Sequence, residues 1–311
     1  MLESLKLRTE IINRIRETFN KWNYLEVETP LLVPYRNPDP NVENVKASFT
    51  DFTGKKHSWF LHTSPEFFMK RLVWYGAERI FQITKAFRDG EITDLHNVEF
   101  TMVEWYRTGK DYRTGMEETL ELIRECAELL GVKEVKVRGK RVNLSGAIYL
   151  SVEEAFREFA GVSPFREEEV RKASGEEDYE TGFFRLMVEK VEPGIGELPL
   201  PVVLYDYPAQ FGAFSKRRGK VAERFEVYIG GVEIANGYTE MTHYHEYAEE
   251  MKKKEGSYDK GFLKLLRERP LPQCEGVALG ADRLVMVLLG KEKISEVIPF
   301  TVEELLKESS L

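Results

Sequence analysis

Two arginines and a group of glutamates stand where their types and spacing suit phosphate chemistry. Residues 80 to 106 read as strand, polar loop, strand, a hairpin apolar enough to lie in a sheet. On the returning strand Phe100, Met102, Glu104 and Tyr106 share one face, and Glu99, Thr101, Val103 and Trp105 the other. Arg88 ends the outgoing strand, beside a loop with Asp89, Glu91, His96 and Asn97. A guanidinium there can fork onto a phosphate or carboxylate, Phe100 can stack on a flat base, and Glu104 can bind a cation. Taken alone, this stretch is better explained as a surface hairpin with ordinary cross-strand pairs. The decision rests on what accompanies it.

A second cluster lies at residues 223 to 240. Gly230-Gly231 is a two-residue hairpin turn, which pairs Ile229 with Val232 and Tyr228 with Glu233. Glu226 and Glu233 then sit diagonally on one face, roughly 7 Å apart at the backbone. Two such charges repel unless a cation lies between them, and magnesium, with its taste for carboxylate and phosphate oxygens, fits. Phe225, Val227, Ile229, Val232 and Ile234 supply an apolar opposite face, while Asn236 and Glu240 follow with an amide and another carboxylate. A third cluster is Gly276-Val277-Ala278-Leu279-Gly280-Ala281-Asp282-Arg283, which enters an apolar helix through residue 289. Its glycines let backbone approach a ligand, and Arg283 falls in a first helical turn, where phosphate is favoured. Earlier, Ser64 suits a helix N-cap, Pro65 the first helical position and Glu66 a dipole partner. His243-Tyr244-His245-Glu246 lacks the HExxH spacing and a third ligand, so it reads as a helix start rather than a metal site.

The elements that must position these groups follow from periodicity. Leu2, Leu5, Ile12, Ile15, Phe19 and Trp22 mark an amphipathic helix over 2–22. A strand over 24–29 is stopped by Pro30, and 34–41 is a Pro/Asn/Asp loop. Helices are expected over 67–75, 111–130, 151–160, 166–173, 180–190 and 243–255, a basic strand pair over 136–142 and a buried strand over 200–205. The basic run 216–220 reads as a solvated loop.

With 311 residues, 42% hydrophobic and 32% charged, the chain can bury a substantial core. The formal charge of -8 disfavours a broad nucleic-acid surface. Cys126 and Cys274 form neither a CxxC pair nor a disulfide framework and read as buried hydrophobes. No run approaches a membrane span and the N-terminus lacks a signal peptide's apolar centre, so a cytoplasmic protein is expected.

Taken in order, these segments resemble the class II aminoacyl-tRNA synthetases, and within them the lysyl branch. His96-Asn97-Val98-Glu99-Phe100-Thr101-Met102-Val103-Glu104-Trp105-Tyr106 is similar to motif 2, the helix, strand and Pro30 to motif 1, and residues 276–290 to motif 3. The segment from Phe225 to Glu240 resembles the branch's FExxxGGxExxNGxxE pattern. The resemblance implies an α+β fold, an antiparallel sheet flanked by helices, as a single catalytic domain over 1–311 that acts as a homodimer. Motif 1 would span about 11–32, motif 2 about 80–106 and motif 3 about 276–290, with an insertion over about 132–195 and no anticodon-binding domain. It implies ATP and Mg2+ as cofactors and an aminoacyl adenylate as intermediate. Carried over residue by residue, Arg88 holds the α-phosphate and substrate carboxylate, Arg283 the γ-phosphate, and Glu226 and Glu233 the magnesium. Asp89, Gly90, His96, Asn97, Phe100, Ile234 and Gly280 complete the ATP site. Ser64, Pro65, Glu66, Glu104, Tyr106, Asn236, Glu240 and Ala278 form the substrate side, whose acidity suits two ammonium groups.

Three departures refine this expectation. The motif 1 helix begins at the first residues, the position of Ser64 is usually alanine in the lysyl enzymes, and that of Ala278 is glycine there. All three resemble the truncated, synthetase-like ligases that attach β-lysine to elongation factor P. An added methyl at Ala278 can reshape the α-carbon end of the pocket, at about 1–3 kcal/mol where it overpacks. Lysine or (R)-β-lysine, with elongation factor P as acceptor and no stable nucleic-acid partner, is the expectation. The alternatives are a free-standing enzyme acylating tRNA or a small molecule, and a non-catalytic binding paralogue. Finally, the family's Arg-x-Glu in motif 2 becomes Arg88-Asp89-Gly90-Glu91, so either the loop shifts by one residue or that glutamate's contact is lost.

Overall fold

In the computed structural model, which describes residues 2–39, 41–252 and 258–309, one large sheet carries the site. The chain opens with α1 (Leu2–Lys21) and the short β1 (Leu25–Glu26), then β2 (Leu32–Val33), β3 (Lys46–Thr50), β4 (Lys56–Leu61) and α2 (Glu66–Trp74). β5 (Arg79–Phe87) and β6 (Glu99–Thr108) make the expected hairpin, with Ile80 opposite Tyr106. After α3 (Tyr112–Leu129) come the β7 (Glu134–Val137) and β8 (Lys140–Asn143) hairpin and β9 (Ile148–Ser151). The helices α4 (Val152–Phe159), α5 (Glu167–Ser174), α6 (Tyr179–Leu186) and α7 (Glu192–Gly196) follow. The chain returns through β10 (Val202–Pro208), β11 (Arg217–Arg218), β12 (Val221–Ile229) and β13 (Val232–Thr239). It closes with α8 (Tyr244–Glu250), α9 (Lys260–Glu268), β14 (Cys274–Gly280), α10 (Ala281–Leu288) and α11 (Val302–Glu308).

The strand order is β1-β5-β6-β14-β13-β12-β10-β9, with β11 added on β12. Its centre is antiparallel, as expected, but the pairs at the two ends, β1 with β5 and β9 with β10, are parallel. One face is apolar because alternate strand residues are. Val103, Trp105, Phe225, Val227, Val277 and Leu279 are buried there against Ile11, Ile15 and Phe19 of α1 and residues of α3 and α10. Phe19 stacks on Phe81 with ring centroids 4.6 Å apart. Each such side chain contributes about 1.5–3 kcal/mol on burial, which fixes the sheet and leaves its other face for the site.

Several local expectations shift. Leu2 is 76% exposed although its spacing places it on the apolar stripe of α1, because the core starts at Ile11. The strand expected over 24–29 shrinks to two residues, the only ones there that pair with β5. Pro65, not Ser64, occupies the N-cap position of α2, and the Ser64 hydroxyl accepts from the Glu66 N–H at 3.0 Å. The basic run 216–220 is exposed as expected but is not all loop: Arg217–Arg218 form β11 on β12, Arg217 pairs with Glu250, Arg218 with Asp206 at 3.2 Å, and Lys220 lies over the Phe165 ring. The helix expected over 243–255 is α8, ending at Glu250, and positions 253–255 lie outside the described residues. Among the described residues no helix is long and apolar enough to cross a membrane.

Candidate active site

Gly230 and Gly231 both have positive φ, at 57° and 74°, as a tight hairpin turn joining two right-twisted strands requires. Ile229 faces Val232 and Tyr228 faces Glu233, as the turn predicts, but Val227 then faces Ala235. Ile234 is therefore an extra residue, a bulge. It has a chemical consequence. Glu233 and Asn236 are an odd number of positions apart and would lie on opposite faces of a regular strand. The bulge resets the phase, so Glu233, Asn236, Tyr238 and Glu240 all reach the cavities on the sheet's polar face.

The smaller of two adjoining cavities, about 280 Å³, is lined by Arg88, Glu91, His96, Asn97, Phe100, Glu226, Glu233, Ile234, Gly280 and Arg283, among others. Arg283 donates to the Glu233 carbonyl at 3.1 Å and to Glu233 Oε2 at 3.3 Å. It also donates to His96 Nε2 at 2.5 Å. An arginine can only donate, so His96 accepts at Nε2 and carries its proton on Nδ1, 2.7 Å from Thr93 Oγ1. Burial, and then the Arg283 charge, hold His96 below the ordinary imidazole range, consistent with this neutral form. Arg88 lies 5.2 Å from the centre of the Phe100 ring, so the ring expected to stack on a base also supports the guanidinium beside it. Both ends of the Asn97 amide are engaged, donating to the Glu99 carbonyl at 2.7 Å and accepting from the Val302 N–H at 2.9 Å. Asp89 and Gly90 sit in an exposed turn outside the cavity walls, and Gly90 has φ +78°. Glu91 takes the inward place, 3.7 Å from Arg88. The acid beside Arg88 is therefore Glu91, one position later than the Arg-x-Glu spacing would put it.

Glu226 accepts from three donors, which leaves an acceptor site on Oε1. Tyr207 and Tyr228 donate to its Oε2 at 2.6 and 2.5 Å, and Arg224 to its Oε1 at 2.6 Å. Burial opposes the Arg224 charge, but Glu226 and then Tyr207 keep that guanidinium firmly protonated. Among the described residues no group of three His, Cys, Asp or Glu is placed to hold a metal ion. Two carboxylates on one cavity wall are nonetheless what a magnesium arriving with a polyphosphate uses, since the phosphates and water fill the other positions. Glu226 and Glu233 fit that role. Glu192 is a further acid near them: burial, then the charges of Glu226 and Glu233, push it up to about 7.

The larger cavity, about 520 Å³, shares Arg88, Met102, Asn236 and Ala278 with the first and runs inward to Ser64, Glu66, Glu104, Tyr106 and Glu240. Pro65 is absent from its walls. Glu104 accepts from Ser64 Oγ at 2.6 Å and from Tyr106 OH at 2.8 Å. Tyr238 OH donates to Glu66 at 2.6 Å. Burial, reinforced by the Glu66 charge, pushes Glu104 up to about 7. Glu240 rises to about 8, again chiefly by burial, with Lys70 opposing. Gly276 is part of this wall, and a Cβ there would lie 2.5 Å from the Tyr106 ring.

In and around the cavity walls stand residues that sequence reasoning missed. Arg224 and Tyr238 stand two positions before Glu226 and Glu240, and that strand alternation was a readable signal. Lys70 stands four after Glu66 on a helix, a recognisable ion-pair spacing. Glu192 and Tyr207 carried no such mark.

With this geometry in place, comparison with known proteins is decisive: the tRNA synthetases of class II (D, K and N) match residues 1–304. The chain belongs to this family. Among similar proteins, an elongation factor P–(R)-β-lysine ligase homolog of Aquifex aeolicus is 39% identical, covering 91% of this chain and 94% of the relative. The elongation factor P–(R)-β-lysine ligase of Vibrio cholerae is 36% identical over 96% of this chain and 95% of the relative. That of Avibacterium paragallinarum is 35% identical over 97% and 96%. The class II architecture, a sheet with an antiparallel centre flanked by helices, is thus common to the family match and to the strand order.

Proposed function

We propose that this protein is an ATP-dependent ligase that activates lysine or (R)-β-lysine as an adenylate and transfers the acyl group to a lysine side chain of elongation factor P. The observation that carries this reading is the junction of the two cavities. Arg88 stands where they meet, with three carboxylates at the inner end of one and Arg283, Glu226 and Glu233 in the other. A diamino acid with its ammonium groups toward Glu66, Glu104 and Glu240 places its carboxylate beside Arg88 and thus beside a nucleotide phosphate. Near-complete coverage by relatives that bear this activity in their names supports the choice of acceptor.

In the first step a substrate carboxylate oxygen attacks the ATP α-phosphorus and pyrophosphate leaves. No protein nucleophile is required. Arg88 aligns the carboxylate and neutralises the phosphate, Arg283 receives the departing charge, and His96, as an acceptor, aims Arg283. Glu226 and Glu233 would hold magnesium, which supplies further neutralisation of the phosphates. In the second step the acceptor amine attacks the acyl carbon, an amide forms, and AMP leaves with the C–O electron pair while the nitrogen releases its proton. We take the protein to act as a cytoplasmic homodimer. Support for the dimer comes from Leu25, exposed by 64% on β1 at the sheet's open edge.

The test is pyrophosphate exchange into ATP with α-lysine, (R)-β-lysine or no amino acid, followed by addition of elongation factor P. Exchange that prefers (R)-β-lysine, with label passing to the factor, is expected. Exchange with label passing to tRNA instead would favour a free-standing synthetase, and no exchange with either amino acid would refute the lysine assignment.

A further inference from the structure

Behind the inner end of the larger cavity lies a cation of the chain's own. The Lys70 side chain is fully buried, with Nζ 2.5 Å from Glu66 Oε1 and 2.7 Å from Glu240 Oε2. The rings of Phe67, Phe214, Tyr238 and Tyr247 surround it, their centres 5.8, 5.2, 5.4 and 5.2 Å away. Aromatic cages of this kind are used to recognise ligand ammonium groups. Here the cage is filled by a residue that stands behind the cavity wall rather than in it, since Glu66 and Glu240 line the cavity and Lys70 does not.

We propose that Lys70 is a built-in counter-ion that sets how many ammonium groups the pocket accepts. When a dicationic ligand draws Glu104 and Glu240 into their ionised forms, Glu66, Glu104 and Glu240 bring three negative charges, Lys70 neutralises one, and the two that remain match two ammonium groups. Lys70 acts through the carboxylates and is a specificity-determining positioning residue. The division of lone pairs agrees. Glu240 Oε2 is engaged by Lys70 and by Tyr247 at 3.3 Å, whereas Glu240 Oε1 is buried without a partner. That oxygen lies 2.7 Å from where a Cβ on Gly276 would stand, so it faces the cavity wall. A buried carboxylate oxygen without a partner is costly, and this one is left for the ligand. Although burial opposes the Lys70 charge, Glu240 and Glu66 hold its pKa up at about 12, so the count is made with a permanent cation.

The inference rests on the proposed substrate class and is separable from it by experiment. Calorimetric binding of lysine, with two ammonium groups, and norleucine, with one, gives a selectivity ratio for the full-length chain. The variants K70M, E240Q and K70M/E240Q change the count to three, one and two negative charges. E240Q is expected to lower the lysine-to-norleucine ratio by about tenfold or more, the cost of one buried charge partner. Adding K70M to it is expected to recover most of that loss. A double variant no more selective than E240Q, or an E240Q protein with an undiminished ratio, would overturn the proposal. Should K70M alone fail to fold, the comparison of E240Q with the double variant still decides, because neither carries an added unpaired buried charge. A wild-type chain that binds neither lysine nor (R)-β-lysine would instead overturn the proposed function.

Discussion

Replacing Gly276 with alanine tests the substrate wall through a single methyl group. Gly276 pairs with Tyr106 across β14 and β6, and its added Cβ would lie 2.5 Å from Tyr106 Cε1 and 2.9 Å from Cδ1. Non-bonded carbons rest about 3.5–4.0 Å apart, so the ring must move by about an ångström. It has little room, being only 2% exposed, and its hydroxyl is committed to Glu104 Oε1 at 2.8 Å. Overpacking of this kind costs about 1–3 kcal/mol, and losing a hydrogen bond to a charged group about 1.5–3 kcal/mol. The first term falls on stability and lowers the melting temperature by roughly 1.5–5 °C for a chain of 311 residues. The second falls on the pocket and lowers kcat/KM for the amino acid by about 10- to 100-fold. Amino-acid-dependent pyrophosphate exchange and a thermal melt measure the two separately. Tyr106→Phe serves as the control, since it removes the bond without the clash and should reproduce the kinetic loss with a smaller thermal one. A Gly276→Ala protein with wild-type melting and kcat/KM would refute the close approach and the role given to Glu104.

Further outcomes follow from the same geometry. Arg283→Ala should reduce exchange by about a hundredfold or more, as expected for loss of a preorganised charge at a reacting phosphate; an unimpaired variant would remove Arg283 from the reaction. Glu104 at about 7 and Glu240 at about 8 are protonated more readily than ordinary carboxylates, and a dicationic ligand favours their ionised forms. KM for lysine should therefore fall as pH rises from about 6 to about 8.5, and a flat profile would contradict the burial argument. Because both pKa values are raised in the folded state, the unliganded chain binds more protons than the unfolded one between about pH 4.5 and 8. These groups' contribution to stability should thus decline as pH rises through that window, measurable by denaturant titration. Glu91→Ala should raise KM for ATP by about 3- to 10-fold through loss of its pairing with Arg88. Gly90→Ala should cost only about 1 kcal/mol of stability from its positive φ, with KM for ATP unchanged, and the opposite pattern would remove Glu91 from the ATP site.

The three clusters were legible in the sequence because each depends on local periodicity. Strand alternation placed Glu104 between Met102 and Tyr106, the Gly230-Gly231 turn fixed the first two pairs of its hairpin, and the glycine-spaced entry placed Arg283 in the first turn of α10. Where the reading was incomplete, the missing information was not local. Glycine at position 90 left the motif 2 loop ambiguous, and only the packed loop brings Glu91 rather than Gly90 to Arg88. Alternation alone would have put Glu233 and Asn236 on opposite faces, and it is the bulge at Ile234 that unites them.

The sequence by itself determined the elements, the order of the clusters and the chemistry their side chains can perform, since these follow from residue types and short-range spacing. The tertiary structure alone decided how the charges are balanced. Arg224 is drawn onto Glu226, His96 onto Arg283, and Lys70 onto Glu240, a partner 170 positions away in the chain. Burial raises the cost of every unpaired charge, so which groups meet beneath the sheet's polar face fixes what the pocket leaves for a ligand.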